Sequence, residues 1–146
     1  MEYVVKSVSV EQILHIRSAE LRNGLEPEQC RFDEDKNEDA IHLGLFVNNT
    51  IIGCLSVFKE DNDSFNEVNQ HRYRGMAVSK AYQGMALGNL ILNKADHLVL
   101  ERKANFIWMT AREKAVNFYR RNGYNVVGTS FDIPGIGSHY LLYKKL

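Results

Sequence analysis

The sequence predicts an α/β protein built on a mixed sheet, and three observations carry that prediction. A chain of 146 residues fits one domain, because a single core usually takes about 100–200 residues. The order of elements reads as a β-meander, then βαβα, then a closing β pair. At the centre stands the stretch 74–102, RGMAVSKAYQGMALGNLILNKADHLVLER: a short apolar strand, a tight turn carrying Gln83, Gly84 and Gly88, then a long amphipathic helix. A strand feeding a glycine-bearing turn that opens a helix aims several backbone N–H groups, and the positive end of the helix dipole, at one point in space. Such a point binds phosphate.

The elements follow in order. Residues 3–8 alternate as a strand, and Ser9 stands as the N-cap of a helix with Gln12 in the capping-box position three residues on. Ile13, Leu14, Ile16 and Leu21 form the apolar face of that helix. Pro27 and the acidic run 33–39 interrupt any regular period, so a loop or short helix near the substrate entrance is expected there. Residues 41–47 and 51–58 read as strands joined by Asn48, Asn49 and Thr50, since Asn tolerates positive φ. After KEDNDSFNE a third strand runs through to Val78. Leu87, Leu90, Ile91, Ala95, Leu98 and Val99 then recur with helical period. Residues 105–109 read as a buried strand and 111–121 as a helix ended by Asn122 and Gly123. Two last strands, 124–131 and 139–144, flank the loop DIPGIGS.

Composition narrows the class further. With 45% hydrophobic and 25% charged residues the chain has the balance of a soluble globular protein, which excludes whole-chain disorder. No apolar run approaches the ~18 residues of a membrane span, and the N-terminus lacks a basic segment followed by an apolar one. A cytoplasmic protein with no membrane or nucleic-acid partner is expected. Cys30 and Cys54 stand apart without CxxC or a nearby His pair, so no metal site and no disulfide framework is indicated, and buried free thiols are expected. The net charge of zero hides an asymmetry. Residues 1–67 hold 6 Lys/Arg against 14 Asp/Glu, and residues 68–146 hold 12 against 4. Such a field favours a polyanion on the C-terminal half and a cation approaching through the N-terminal half, although solvated surface charge explains it equally well.

Two segments together resemble the GCN5-related N-acetyltransferases, the GNAT family. The family signature for the CoA pyrophosphate, Gln/Arg-x-x-Gly-x-Gly/Ala after a strand, is matched by Gln83-Gly84-Met85-Ala86-Leu87-Gly88 after Met76-Ala77-Val78. Ala86 stands where members usually carry Gly, and its methyl group is harmless if the residue has helical φ/ψ. The second segment, Ala115-Val116-Asn117-Phe118-Tyr119-Arg120-Arg121-Asn122-Gly123-Tyr124, looks like the family's A-x-x-(F/L)-Y-x-x-x-G-(F/Y) motif. Arg112 lies where many members carry an Asn that contacts CoA, so that role is not transferred. The resemblance implies a single GNAT-like domain over residues 1–146, with a mixed, mostly antiparallel sheet flanked by helices in the order β-α-α-β-β-β-α-β-α-β-β. Members often form homodimers, so a homodimer is among the assemblies the resemblance allows.

What the resemblance implies for chemistry is an N-acetyltransferase that uses acetyl-CoA as cosubstrate. A small-molecule or protein primary amine would attack the thioester directly in a ternary complex. The amides of Gly84, Met85, Ala86, Leu87, Gly88 and Asn89 would face the pyrophosphate. The main chain of Met76, Ala77 and Val78 would pair with pantetheine as an added strand does. Gln83 and Asn117 belong to the same cofactor set. The resemblance assigns Tyr119 to the departing thiol; a phenol titrates near ~10 and an alkyl thiol near ~8.5, so a strengthening hydrogen bond is a more realistic role than full proton donation. An alkylamine also needs a base. Glu67, His71, Glu113 and His139 are open candidates; His139 has the most suitable ordinary pKa, and water-mediated deprotonation is equally plausible. Two further readings compete. A GNAT-fold protein that holds acyl-CoA as a sensor without turnover would share both motifs. A nucleotide-binding P-loop fails because no Gly-Lys-Ser/Thr follows the turn.

Overall fold

The computed structural model describes residues 2–146, and seven strands form one sheet in the order β1-β2-β3-β4-β5-β7-β6. Strand β1 (Tyr3–Val8) leads through a 3₁₀ turn (Val10–Gln12) into helix α1 (Leu14–Leu21). The Ser9 amide donates to Gln12 Oε1 at 3.0 Å, so the expected capping interaction starts the 3₁₀ turn and not α1 itself. Two further 3₁₀ turns, Pro27–Cys30 and Asp33–Lys36, replace the second helix of the expected order. Neither is long enough to bury a helical face.

Strands β2 (Ile41–Val47) and β3 (Thr50–Lys59) form the expected hairpin, with Asn48 at φ +47° and Asn49 at φ +66°. Both central residues of a tight hairpin turn of this hand need positive φ, which Asn adopts at low cost. Strand β4 (Gln70–Val78) continues the meander, and helix α2 (Leu87–Glu101) returns the chain to β5 (Phe106–Arg112). The β4–β5 pair is the only parallel one in the sheet, and a parallel pair needs a crossover of this length. Helix α2 buries Leu87, Ile91, Leu92, Ala95 and Val99 against the sheet, whereas Leu90 is 40% exposed.

The helix expected over 111–121 is shorter. Thr110, Ala111 and Arg112 remain in β5, paired with Leu141, Tyr140 and His139 of β7 (Gly137–Lys145). A 3₁₀ turn (Glu113–Ala115) then precedes α3 (Val116–Arg121). The sheet ladder overrides helix propensity at Ala111 and Arg112. Strand β6 (Asn125–Ile133) closes the sheet beside β7.

Two cores lie on opposite faces. Helices α2 and α3 cover one, with Tyr73, Ile107, Met109 and Ala111 pointing into it. Helix α1 covers the other with Ile13, Leu14 and Ile16, together with Cys30, Cys54 and Ala77. Both cysteines are buried free thiols, and burial pushes Cys54 up to about 12.

Candidate active site

A register change creates the site. Strand β4 pairs with β5 only at Gln70, His71 and Arg72, yet both strands run on. Beyond Arg72 they splay apart, and the edge of β4 facing β5 is left without a backbone partner. On its other side β4 stays with β3, but the register slips between Cys54–Ala77 and Ser56–Arg74. Gly75, at φ +71°, sits in that bulge, and a Cβ there would lie 2.9 Å from the Phe32 ring. A glycine inside a strand signals such a bulge. The splay opens a cleft of about 1000 Å³ that passes from the α2/α3 face to the α1 face.

The turn expected to bind phosphate forms one mouth of this cleft. Gln83 Nε2 donates to Val78 O at 2.8 Å and approaches Glu20 Oε1 at 3.4 Å, which ties the turn to the end of β4 and to α1. Gly84 has φ +79° and opens directly on the cleft. Helix α2 has no side-chain cap, and no turn or cap hydrogen bond uses the amides of residues 84–88. An uncapped helix start with free amides carries partial positive charge and fits an anion. Gly88 packs against Met76 and Phe118 so closely that a Cβ would meet them at 2.7 and 3.0 Å.

Ala86 does not meet the condition under which its methyl group would be harmless. It has φ 60° and ψ 22°, in the left-handed region, where a methyl group is strained. The turn accepts that strain because the chain must reverse sharply between Gly84 and Leu87.

Of the other residues singled out in the sequence, Met76, Ala77, Val78, Leu87, Asn89, Tyr119 and His139 also line the cleft. Met85 is 51% exposed and outside it, and Asn117 and Glu113 are exposed on the α3 side and line no part of it. Glu67 pairs with Lys145 at 3.2 Å, and His71 Nδ1 lies 3.2 Å from Asn69 O; neither lines the cleft.

Tyr119 is buried on the α2/α3 side, edge-on to Phe118 and Tyr124 at 5.1 and 5.5 Å between ring centroids. Its hydroxyl has no hydrogen-bond partner among the described residues, and burial pushes it up to about 12. It therefore stays protonated and available as a donor. His139 pairs across strands with Arg112, so it shares the opposite face. Its Nδ1 lies 2.9 Å from Gly137 O. A carbonyl can only accept, so Nδ1–H donates to it and Nε2 is the ring nitrogen left free of that bond.

Three cleft residues were given no role from the sequence. Phe32 lies between two guanidinium groups, with Arg17 Cζ 3.9 Å and Arg74 Cζ 3.8 Å from its ring centroid. Arg22 and Arg112 also line the cleft. All three come from loops or strand ends that only tertiary packing brings together.

Residues 10–124 match the model of the acetyltransferase (GNAT) family. Over 142 residues the chain is 35% identical to YitI of Bacillus subtilis (strain 168), described as an uncharacterised N-acetyltransferase, covering 97% of this chain and 95% of that protein. The fold resembles that of Escherichia coli ElaA, with a TM-score of 0.74 at 17% identity over 99% of both chains. It also resembles the PaiA N-acetyltransferase of Thermoplasma acidophilum, solved in complex with coenzyme A, with a TM-score of 0.69 at 16% identity over the full length of both.

Proposed function

This chain belongs to the GNAT acetyltransferase family, and from that premise we propose that it transfers an acetyl group from acetyl-CoA to a primary amine by direct attack in a ternary complex. Membership and the likeness to a named N-acetyltransferase make it an acyltransferase; the acyl donor and the acceptor are the proposal. The carrying observation is the splay of β4 from β5, which leaves one strand edge unpaired beside an uncapped helix start.

The residues present fit acyl-CoA. Free amides of residues 84–88 hold the pyrophosphate, and the open edge of β4 up to Val78 takes the pantetheine amides as a further strand would. A backbone N–H on that edge of β4 would serve as donor to the thioester carbonyl, a donor of a kind that is worth about 3 kcal/mol in the transition state. When bound, acetyl-CoA supplies an activated acyl group with a thiolate leaving group. His139 Nε2 takes the proton from the ammonium form of the acceptor, and the neutral nitrogen attacks the carbonyl carbon. As the N–C bond forms and the C–S bond breaks, the Tyr119 hydroxyl hydrogen-bonds the sulfur that departs. The nitrogen sheds its second proton as it becomes an amide, and this balances the proton that the departing thiolate takes up to leave as thiol.

The test is CoA thiol release across an amine panel. Wild type should release thiol with at least one amine, and Tyr119→Phe should lower kcat by about 10²–10⁴-fold with little change in the Kd for CoA. An unchanged kcat would remove Tyr119 from the chemistry. Binding of acetyl-CoA without thiol release from any amine would instead mark a sensor.

A further inference from the structure

The α1 side of the cleft holds two guanidinium groups that the protein leaves without a counter-ion. Arg112 Nη2 donates to Leu21 O at 2.8 Å, and Arg22 Nη1 donates to the same carbonyl oxygen at 3.1 Å. Two like charges thus converge on one neutral acceptor. Neither forms an ion pair with any carboxylate among the described residues. The neighbouring arginines are treated differently. Arg74 is held by Glu34 at 2.7 Å and Arg72 by Glu60 at 3.2 Å. Among the described residues the only carboxylate lining the cleft, Glu20, is turned toward the Lys80 amide and Gln83.

Strand period places this pair relative to the rest of the site. Ile107, Met109 and Ala111 point into the α2/α3 core, so Arg112 points to the opposite face, beside His139. Arg22 ends α1, the helix that covers that face. Tyr119 lies on the other side of the sheet, in the α2/α3 core. Burial, and then the charges of Arg112 and Arg74, lower the Arg22 pKa, the signature of a cation that lacks an anion.

We propose that the acceptor is an amine that also carries a carboxylate, an amino-acid-like molecule, bound through that carboxylate by Arg22 and Arg112 with its amine directed at His139. This rests on the transferase reading above. A planar carboxylate offers two oxygens to two guanidinium forks, which satisfies both cations at once. A neutral amine would leave them facing each other in a half-buried cleft.

The experiment uses matched acceptors: a panel of free amino acids, each beside its own carboxamide, in the thiol-release assay with wild-type enzyme. At least one free acid should exceed its carboxamide about tenfold or more in kcat/KM, the size of a charge-assisted hydrogen-bond effect. In Arg112→Gln and Arg22→Gln that preference should collapse, with the loss falling on the KM of the amine. Arg112→Lys, which keeps the charge and not the fork, should lose part of it. Equal turnover of acids and carboxamides would overturn the proposal while leaving the transferase reading intact. A loss that falls on the KM of acetyl-CoA would also overturn it, because the pair would then serve a CoA phosphate. Calorimetric titration of the CoA-loaded protein with N-acetylated amino acids and their amides separates the remaining case. Arginine-dependent binding of the acids without turnover of any amine would support the anion site and sink the transferase reading. Binding that ignores the carboxylate would sink the anion site.

Discussion

Ala86 carries a methyl group at a backbone position that L-residues avoid, with φ 60° at the start of α2. The left-handed conformation costs a non-glycine residue about 1–2 kcal/mol. Glycine removes that strain but gives the unfolded chain more freedom, a loss of about 0.4–1 kcal/mol. The difference favours glycine slightly. Ala86→Gly should therefore be neutral to about 1 kcal/mol more stable, with CoA affinity equal or better; a lower Tm or a weaker Kd for CoA would mean that the methyl group makes a contact the turn needs. Gly88 shows the reverse constraint, because the close approach of Met76 and Phe118 leaves no room for a side chain there. The two ends of one short motif thus tolerate substitution for different reasons. One is a matter of φ, the other of packing.

The segment from Pro27 to Lys36 is held to the sheet by charge more than by apolar contact. Arg17, 1% exposed, makes a bidentate pair with Asp35 at 2.7 and 2.9 Å and also bonds Cys30 O and Ser56 Oγ. Phe32 is thereby fixed between Arg17 and Arg74, where it walls the cleft. Asp35→Ala would leave Arg17 buried with most of its charge uncompensated, a change that typically costs about 3–5 kcal/mol. The variant should melt earlier in a thermal scan, and its acceptor KM should rise more than its acetyl-CoA KM. If both constants moved together, the segment would not be a wall of the acceptor side alone. In the sequence this segment appeared only as an acidic run broken by Pro27. Nothing local says that Asp35 will find Arg17, 18 residues away in the chain.

Over the whole molecule, the opposite charges of the two halves are partly spent on each other. Arg72–Glu60, Arg74–Glu34 and Lys145–Glu67 each join a cation of the C-terminal half to a carboxylate of the N-terminal half. Stability should consequently follow pH in one direction. Burial lowers the pKa of His42 and His71, so the unfolded chain, with histidines near ~6.5, takes up protons first. Burial pushes the Asp35 carboxyl up, but hydrogen bonds from Arg17 and the Phe32 amide outweigh it and hold the group below the ordinary carboxylate range. Its stabilisation is present above the unfolded carboxylate pKa and is lost as pH falls through the lower folded value. Denaturant midpoints should therefore be flat between about pH 7 and 8, decline below about pH 6.5, and drop again below about pH 4. A midpoint that rose on acidification would contradict the neutral burial of both histidines.

The sequence by itself determined the elements whose residues carry their own instructions. The period of α2 follows from Leu87, Ile91, Ala95 and Val99, and the β2–β3 turn from Asn48 and Asn49, because period and positive φ are local properties. The glycine turn and the Tyr119 motif were legible for the same reason. Long-range pairing decided the rest. Ala111 and Arg112 read as the first residues of a helix, yet β7 claims them, and that claim sets Arg112 beside His139. Glu113 stood among the candidate bases and Asn117 in the cofactor set on sequence alone, yet both face solvent. The parting of β4 from β5, the bulge at Gly75 and the meeting of Arg22 with Arg112 at Leu21 O depend on register between strands and helices far apart in the chain. Register is a property of pairs, and no single segment encodes it.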